Sequence, residues 1–388
     1  MTGSRARLAA GDSLDLPAQP AVAAQSRDQL TVAVIGAAGA LGNEVVRGLA
    51  AASYAGVVAI DAIATPAGRR GATVVDSASP THVDVAWRTA DVRHPAFPRS
   101  LEGVDVLVHA AIAQDPDTPS APRRARNIEG TTRILEAALA AGVRRVVVLS
   151  SAMVYGAHPD NPTLLTEAHP MRAASDDSIV GDLILIEQVL ADFAVRHPAM
   201  AIVVLRPTTI VGPGCDGVLT RHFETTRLLA IRGVAARWQF VHISDVAAAC
   251  VLAVDGALHG IVNVAPPATL SQADLEAITG SRRIELPASV VFGAADRLHR
   301  AGVTLAPAGE IAYLAYPWAI DSLRLLEAGW RPSHDSAGAL RAHLQLARSA
   351  EGRGGRLGRD DATRAAAGAT VALLGTAALL RRARRRRP

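Results

Sequence analysis

The sequence predicts an α/β protein built on a doubly wound parallel sheet, and three observations carry that expectation. Short apolar runs recur at 30–35, 57–60, 104–111, 145–151 and 201–205, each of a length and composition suited to a buried parallel strand. Between them, 40–52, 127–141 and 176–196 place apolar residues at helical spacing. The first run ends in a glycine-rich turn that opens directly into the first helix. Strands alternating with helices predict a sheet covered on both faces, the Rossmann-type arrangement, with ligands bound along the edge where the strands end.

The rest of the chain divides around that core. Residues 1–29 are rich in Ala, Ser, Pro and Gln, without apolar periodicity, and are expected to be disordered. They lack the apolar core of a signal peptide. Residues 30–211 form the expected Rossmann domain, with one further strand near 261–264. Residues 212–345 are less regular and are expected to supply mainly a smaller C-terminal substrate lobe. A linker is expected at 346–364. Residues 365–380 carry no charge and are followed by six arginines within 381–388. As a helix, those 16 residues would measure roughly 24 Å, short of a ~30 Å hydrocarbon core. Two readings of 365–388 stand: a packed or frayed helix with a solvated end, or a tail that touches an anionic membrane face.

Composition narrows the function classes. Without the six terminal arginines the formal net charge of +4 becomes −2, so the body carries no basic surface of the kind a nucleic-acid reader needs. The two cysteines, Cys215 and Cys250, have no metal-ligand spacing, and a reducing cytoplasm is expected. All forty basic residues are arginine; the chain has no lysine.

The turn Gly36-Ala37-Ala38-Gly39-Ala40-Leu41-Gly42 carries the strongest chemical signal. Its first glycine permits a tight turn. The second lets backbone approach a diphosphate, and the third lets helix and strand pack closely. The helix start then offers free N–H groups and a positive dipole end to phosphate. Asp61 follows the second strand, where a carboxylate accepts hydrogen bonds from a ribose and disfavours a 2′-phosphate. NAD is the expected cofactor; Arg69 and Arg70 keep NADP open.

These residues, read with those further along, resemble the extended short-chain dehydrogenase/reductases, the NAD-dependent epimerase/dehydratase group. The resemblance runs from about 30 to 264 and rests on several motifs in order. The glycines follow GxxGxxG spacing. Asp91-Val92 is similar to the adenine-contacting segment. His109-Ala110-Ala111 is similar to the strand end against the cofactor, and Asn127-Ile128-Glu129-Gly130-Thr131 to the start of the next helix. Leu149 leads into Ser150-Ser151-Ala152-Met153-Val154-Tyr155-Gly156, similar to the strand that ends at the catalytic serine. Leu205-Arg206-Pro207 through Gly214 and Phe240 through Val246 are similar to segments beside the nicotinamide and the substrate. The resemblance implies Ser151 as a catalytic residue and a nucleotide sugar as substrate class. It also implies a homodimer as assembly.

One departure outweighs the matches. The family carries Tyr-x-x-x-Lys on the helix after the serine strand, with a Glu four residues beyond the Lys. Glu187 stands at that Glu position, which puts Ile179 where the Tyr belongs and Leu183 where the Lys belongs. Tyr155 is then the weak candidate for a replacement acid, against a pocket-wall role. Asp182 is expected on a solvated helix face, with a carboxylate turned toward the position 179 side as the alternative. His109, His158 and His242 titrate in the right range but are expected to be structural. Two functions remain open. One is an atypical NAD-dependent epimerase, dehydratase or reductase using Ser151. The other is a non-catalytic protein that binds NAD or a nucleotide sugar and regulates a partner.

Overall fold

Val, Ile and Leu crowd the segments that become the central strands, so those strands bury both faces and must be covered by helices. The computed structural model describes residue 16 and residues 26–62, 85–113, 118–300 and 308–353. Strands β1 (Thr31–Ile35), β2 (Gly56–Asp61), β3 (Val85–Thr89), β4 (Val106–His109), β5 (Arg145–Leu149) and β6 (Ala201–Pro207) join a later strand to form a seven-stranded sheet. Helices α1 (Ala40–Ala51), α2 (Ser120–Ala140) and α3 (Ile179–Arg196) connect them.

The chain then leaves the sheet for β7 (Thr209–Val211), α4 (Val218–Glu224) and β8 (Arg227–Ile231). It returns with β9 (Phe240–His242), α5 (Ile243–Val254) and β10 (Gly260–Val264). The remaining elements are α6 (Gln272–Thr279), β11 (Arg282–Leu286), α7 (Ala288–Arg300), α8 (Ala308–Ala315), α9 (Leu323–Glu327) and α10 (Ser336–Arg353). In space the central sheet runs β10-β6-β5-β4-β1-β2-β3, every pair parallel. The order reverses beside β1, where β2 lies on one side and β4 on the other. That reversal opens the crevice in which such sheets hold ligands.

The substrate lobe is less separate than the sequence suggests. Val241, Val246, Ala247, Cys250 and Ala253 pack in one core with β1 and α1, and Leu325 and Trp330 join them. Most of 241–264 therefore packs with the Rossmann core, well beyond the single strand expected at 261–264, while Phe240 packs in the lobe. The lobe proper keeps two small parallel pairs, β8 with β11 and β7 with β9. Helix α10 occupies residues 346–353, which the sequence assigned to a linker. Helix α2 begins seven residues earlier than expected, just after Pro119, and its first turns bring Arg123 into a buried ion pair with Asp182. Helix α3 begins later than expected, at Ile179, where the Ser178 hydroxyl accepts the Gly181 amide at 3.1 Å and caps it. Of the segment expected to be disordered, 1–15 and 17–25 lie outside the described residues, as do most of the expected C-terminal linker and the 365–388 tail, whereas Arg27–Gln29 form a 3-10 turn in which Arg27 pairs with Asp255. Among the described residues no helix is long and apolar enough to cross a membrane.

A buried ion pair joins α3 to β6 and reaches the end of β5 through Ser150. Glu187 accepts from Arg206 at 2.5 Å and from the Ser150 hydroxyl at 2.5 Å, with all three side chains buried. The Arg206 guanidinium lies 4.6 Å from the centre of the Tyr155 ring. Removing one partner of such a pair leaves an uncompensated buried charge. Glu187→Gln should therefore lose about 3–5 kcal/mol of stability, read as a lower urea midpoint with an unchanged slope.

Candidate functional site

The 36–42 turn is built from backbone that approaches too closely to admit side chains. Gly36 has φ +86°, and a Cβ there would stand 2.7 Å from the Ala111 amide nitrogen and 2.8 Å from the Ala110 carbonyl carbon. A Cβ on Gly42 would overlap the Gly36 carbonyl. The amides of Gly36 and Ala37 both donate to the Ile60 carbonyl, at 3.0 and 3.2 Å, which ties the turn to the end of β2. Ala38, Gly39 and Ala40 are exposed at the start of α1, and Leu41 is half-buried. The first amides of a helix have no intrahelical partner, so this start can take an anion.

Asp61 closes one side of the turn. Its Oδ2 accepts the Ala38 amide at 3.0 Å, which aims the carboxylate across the glycine loop. Ala110 continues the other wall, its amide donating to the Ile35 carbonyl at 2.9 Å. Asn127 on α2 holds the segment beyond Ala111 in place: its side chain accepts the Ala113 amide at 2.8 Å and donates to the Ala113 carbonyl at 3.1 Å. Asp91 lies after β3 in an exposed pair with Arg93, whose guanidinium holds the carboxyl down at about 2. Val92 packs against the core beside Gly130. Leu149 and Pro207 sit at the ends of β5 and β6. The sheet thus brings most of the sequence-assigned residues to its strand ends and the segments that follow them, and Asn127 reaches that edge from α2. Arg69 and Arg70 lie outside the described residues.

Ser151 is half-buried just past β5, and its Oγ accepts the Met153 amide at 3.2 Å. It caps a short 3-10 turn, which is consistent with a structural serine, while its O–H can still donate. Tyr155 does not offer a replacement acid. Its side chain is fully buried, and its hydroxyl donates to Asn263 Oδ1 at 2.8 Å. Burial pushes it up to about 12. The expectation of a solvated Asp182 also fails. Asp182 is fully buried and accepts from Arg123 Nε and Arg124 Nε, both at 2.9 Å, and from Asn127 Nδ2 at 3.1 Å. With two cations and an amide on its oxygens, it ties α2 to α3.

Ile179, half-buried, and Leu183, buried, pack on the apolar core at the positions the sequence assigns to them. Arg123 and Arg124 escaped the sequence reading because an Arg-rich helix start reads as solvated. His158 bonds the Arg172 carbonyl at 3.1 Å and His242 caps α5 through the Ser244 amide at 3.3 Å.

The family model described as the NAD dependent epimerase/dehydratase family matches residues 32–265. An uncharacterised protein of Mycobacterium tuberculosis (strain ATCC 25618 / H37Rv) is 31% identical over 252 residues, 63% of this chain and 66% of that protein. The match thus spans just under two thirds of that relative's length. Two solved structures share the fold. A UDP-glucose-4-epimerase of Stenotrophomonas maltophila, with bound NAD and formylated UDP-arabinopyranose, has a TM-score of 0.62 at 22% identity, covering 84% of this chain and 100% of its own. A dTDP-glucose 4,6-dehydratase of Streptomyces venezuelae, solved with NAD, has a TM-score of 0.60 at 21% identity, covering 83% and 98%.

His109 supplies a test of this geometry. It is buried, with Nε2 3.0 Å from the Thr131 hydroxyl, and burial pushes it down to about 4. A histidine lowered on folding takes up its proton first in the unfolded chain, so stability falls as pH drops from about 6.5 toward 4. His109→Gln should flatten that acid limb by up to about 1.4 kcal/mol per pH unit, seen in urea unfolding between pH 4.5 and 7. His222, also pushed down to about 4 by burial, leaves its share of the limb in place.

Proposed function

The chain belongs to the NAD dependent epimerase/dehydratase family, and from that premise we propose that it binds NAD at the 36–42 turn and acts as an oxidoreductase on a hydroxyl or carbonyl substrate such as a nucleotide sugar. The observation that carries the proposal is the backbone cradle at Gly36 and Gly42, where side chains are excluded and the start of α1 stays open. In this reading the amides at the start of α1, around Ala40 and Leu41, take the diphosphate. Asp61 takes the adenosine ribose, and Asp91 with Val92 borders the adenine. Ala110, Ala111, Asn127, Leu149 and Pro207 shape the remaining wall. The bound cofactor supplies a hydride acceptor or donor. Ser151 orients the substrate oxygen by donating its hydroxyl.

The nicotinamide end fits less well. Ile179 and Leu183 offer neither proton nor charge. A charge-assisted hydrogen bond to the ribose is worth about 1.5–3 kcal/mol, so its loss weakens binding without abolishing it. General acid–base catalysis is worth about 10²–10⁴-fold, and this is the larger deficit. That same pair of residues favours a second reading, in which the chain binds NAD or a nucleotide sugar and regulates a partner without turnover.

Calorimetry should find NAD bound more tightly than NADP, and Asp61→Ala should weaken NAD by about tenfold, the loss of one charged hydrogen bond, while narrowing the preference over NADP. An unchanged affinity would remove Asp61 from the site. NADH formed with NAD and a panel of nucleotide sugars supports the enzyme; silence across the panel with NAD bound supports the regulator.

A homodimer through α2 and α3 belongs to the same proposal, supported by Leu139 and Val195, which stay exposed on those helices at 41% and 66%. Val195→Arg should shift a dimer to monomer on size exclusion.

A further inference from the structure

Ser151 stands at the head of a short turn that needs outside support. Its Oγ accepts the Met153 amide at 3.2 Å, and its carbonyl accepts the Val154 amide at 3.3 Å. With the oxygen engaged as an acceptor, the O–H is left to donate. The turn is a single 3-10 turn, Ala152–Tyr155, closed by the Gly156 amide on the Met153 carbonyl at 2.9 Å. Such turns have poorer hydrogen-bond geometry than an α-helix. One alone is a weak mount for a side chain that must point in one direction.

The support comes from α8. The Tyr313 hydroxyl donates to the same Met153 carbonyl at 2.6 Å. The Tyr313 ring packs edge-on against Trp318, 5.5 Å between centres, and Trp318 Nε1 donates to the Tyr313 carbonyl at 3.0 Å. Both side chains are buried, so the phenol is fixed from behind. Asn161 holds the other end of the turn. Its Nδ2 donates to the Gly156 carbonyl and to the Pro317 carbonyl, both at 2.8 Å. Further on, the Leu165 amide donates to the Ala319 carbonyl and the Asp321 amide to the Leu165 carbonyl, both at 2.8 Å. Residues 313–321 and 153–165 thus form one seam, with the Tyr313 contact at its Ser151 end. Helix α8 also faces the lobe: Ile311 and Ala315 pack with Leu229, Ile231 and Leu286 of the β8–β11 pair, whereas Tyr313 packs in the core beside β5 and α3.

Resting on the oxidoreductase reading above, we propose that Tyr313 is a positioning residue for Ser151. Through Met153 it holds the serine hydroxyl in the direction that donates to the substrate oxygen, and α8 ties that hold to the seat of the β8–β11 lobe. Met153 is the link, because it presents its amide to Ser151 and its carbonyl to Tyr313. Without the phenol hydroxyl, Met153 is held by the turn's own bonds alone, and the aim of the serine loosens. Burial first, then the Asp176 and Glu310 carboxylates, push the Tyr313 hydroxyl well above the ordinary tyrosine range, so it remains a donor at neutral pH.

The test uses the full chain and Tyr313→Phe, which removes one oxygen and keeps the ring against Trp318. The first readout needs no cofactor. Amide hydrogen exchange over residues 152–156 should quicken about fivefold, the worth of one neutral hydrogen bond. Exchange over β6 should stay within about twofold, marking the change as local. The second readout is turnover of UDP-glucose, UDP-glucuronic acid and dTDP-glucose with NAD. In Tyr313→Phe kcat should fall about fivefold, with KM and the NAD Kd held within about twofold. In a Ser151→Ala background the same change should cost kcat less than about twofold, because the group being aimed is gone. A merely structural tyrosine would lower Tm in both backgrounds and leave this coupling at zero.

Unchanged exchange over 152–156 overturns the proposal. So does undiminished kcat in Tyr313→Phe, or an equal loss with and without the serine. If Ser151→Ala leaves no turnover to compare, exchange and the kcat of Tyr313→Phe decide. An unaltered chain that is silent toward all three sugars overturns the oxidoreductase reading and this proposal with it. Turnover that Tyr313→Phe does not touch overturns the proposal alone, which tells the two failures apart.

Discussion

The absence of side chains at two backbone positions is the constraint on which the site depends. Gly36 turns through a left-handed conformation against Ala110 and Ala111, and Gly42 brings α1 onto the Gly36 carbonyl. With a Cβ at either place, β1, α1 and the segment after β4 could not meet. Their meeting point is the reversal of strand order beside β1, so one local steric condition sets both the packing of the sheet edge and the opening at its end. The Ile60 carbonyl and the Asp61 carboxylate then hold the turn from the β2 side.

Around that cradle the protein uses buried ion pairs as struts. Glu187 joins α3 to β6 through Arg206 and to the Ser151 region through Ser150. Asp182 joins α3 to α2 through Arg123, Arg124 and Asn127, and Asn127 in turn grips Ala113 beyond the Gly36 contact. Each strut desolvates charge, which costs several kcal/mol per ion, and only the near-complete hydrogen bonding of the carboxylates offsets it. The result is a helix α3 tied to both α2 and β6, whose first turn packs Ile179 against the apolar core.

The central strands were legible because a strand buried on both faces reads as a continuous apolar run. β3 escaped the same reading. Its Trp87 and Arg88 are half-buried at the sheet edge, so Val85–Thr89 has no such run. The glycine turn and Asp61 were legible because backbone geometry restricts which residues can stand there. Arg123, Asp182 and Tyr155 were not. Their chemistry depends on partners far away along the chain, such as Asp182 for Arg123 and Asn263 for Tyr155. Spacing along the sequence says nothing about whether a charge will meet its counter-charge or water.

By itself the sequence determined the parallel α/β layering, the glycine turn at 36–42 and the absence of lysine, because periodicity, glycine and residue identity are local properties. Tertiary structure alone decided that 241–264 returns to the first core and that Asp182 is sealed between two arginines. Burial and electrostatic environment are properties of neighbours in space, and only the fold chooses those neighbours.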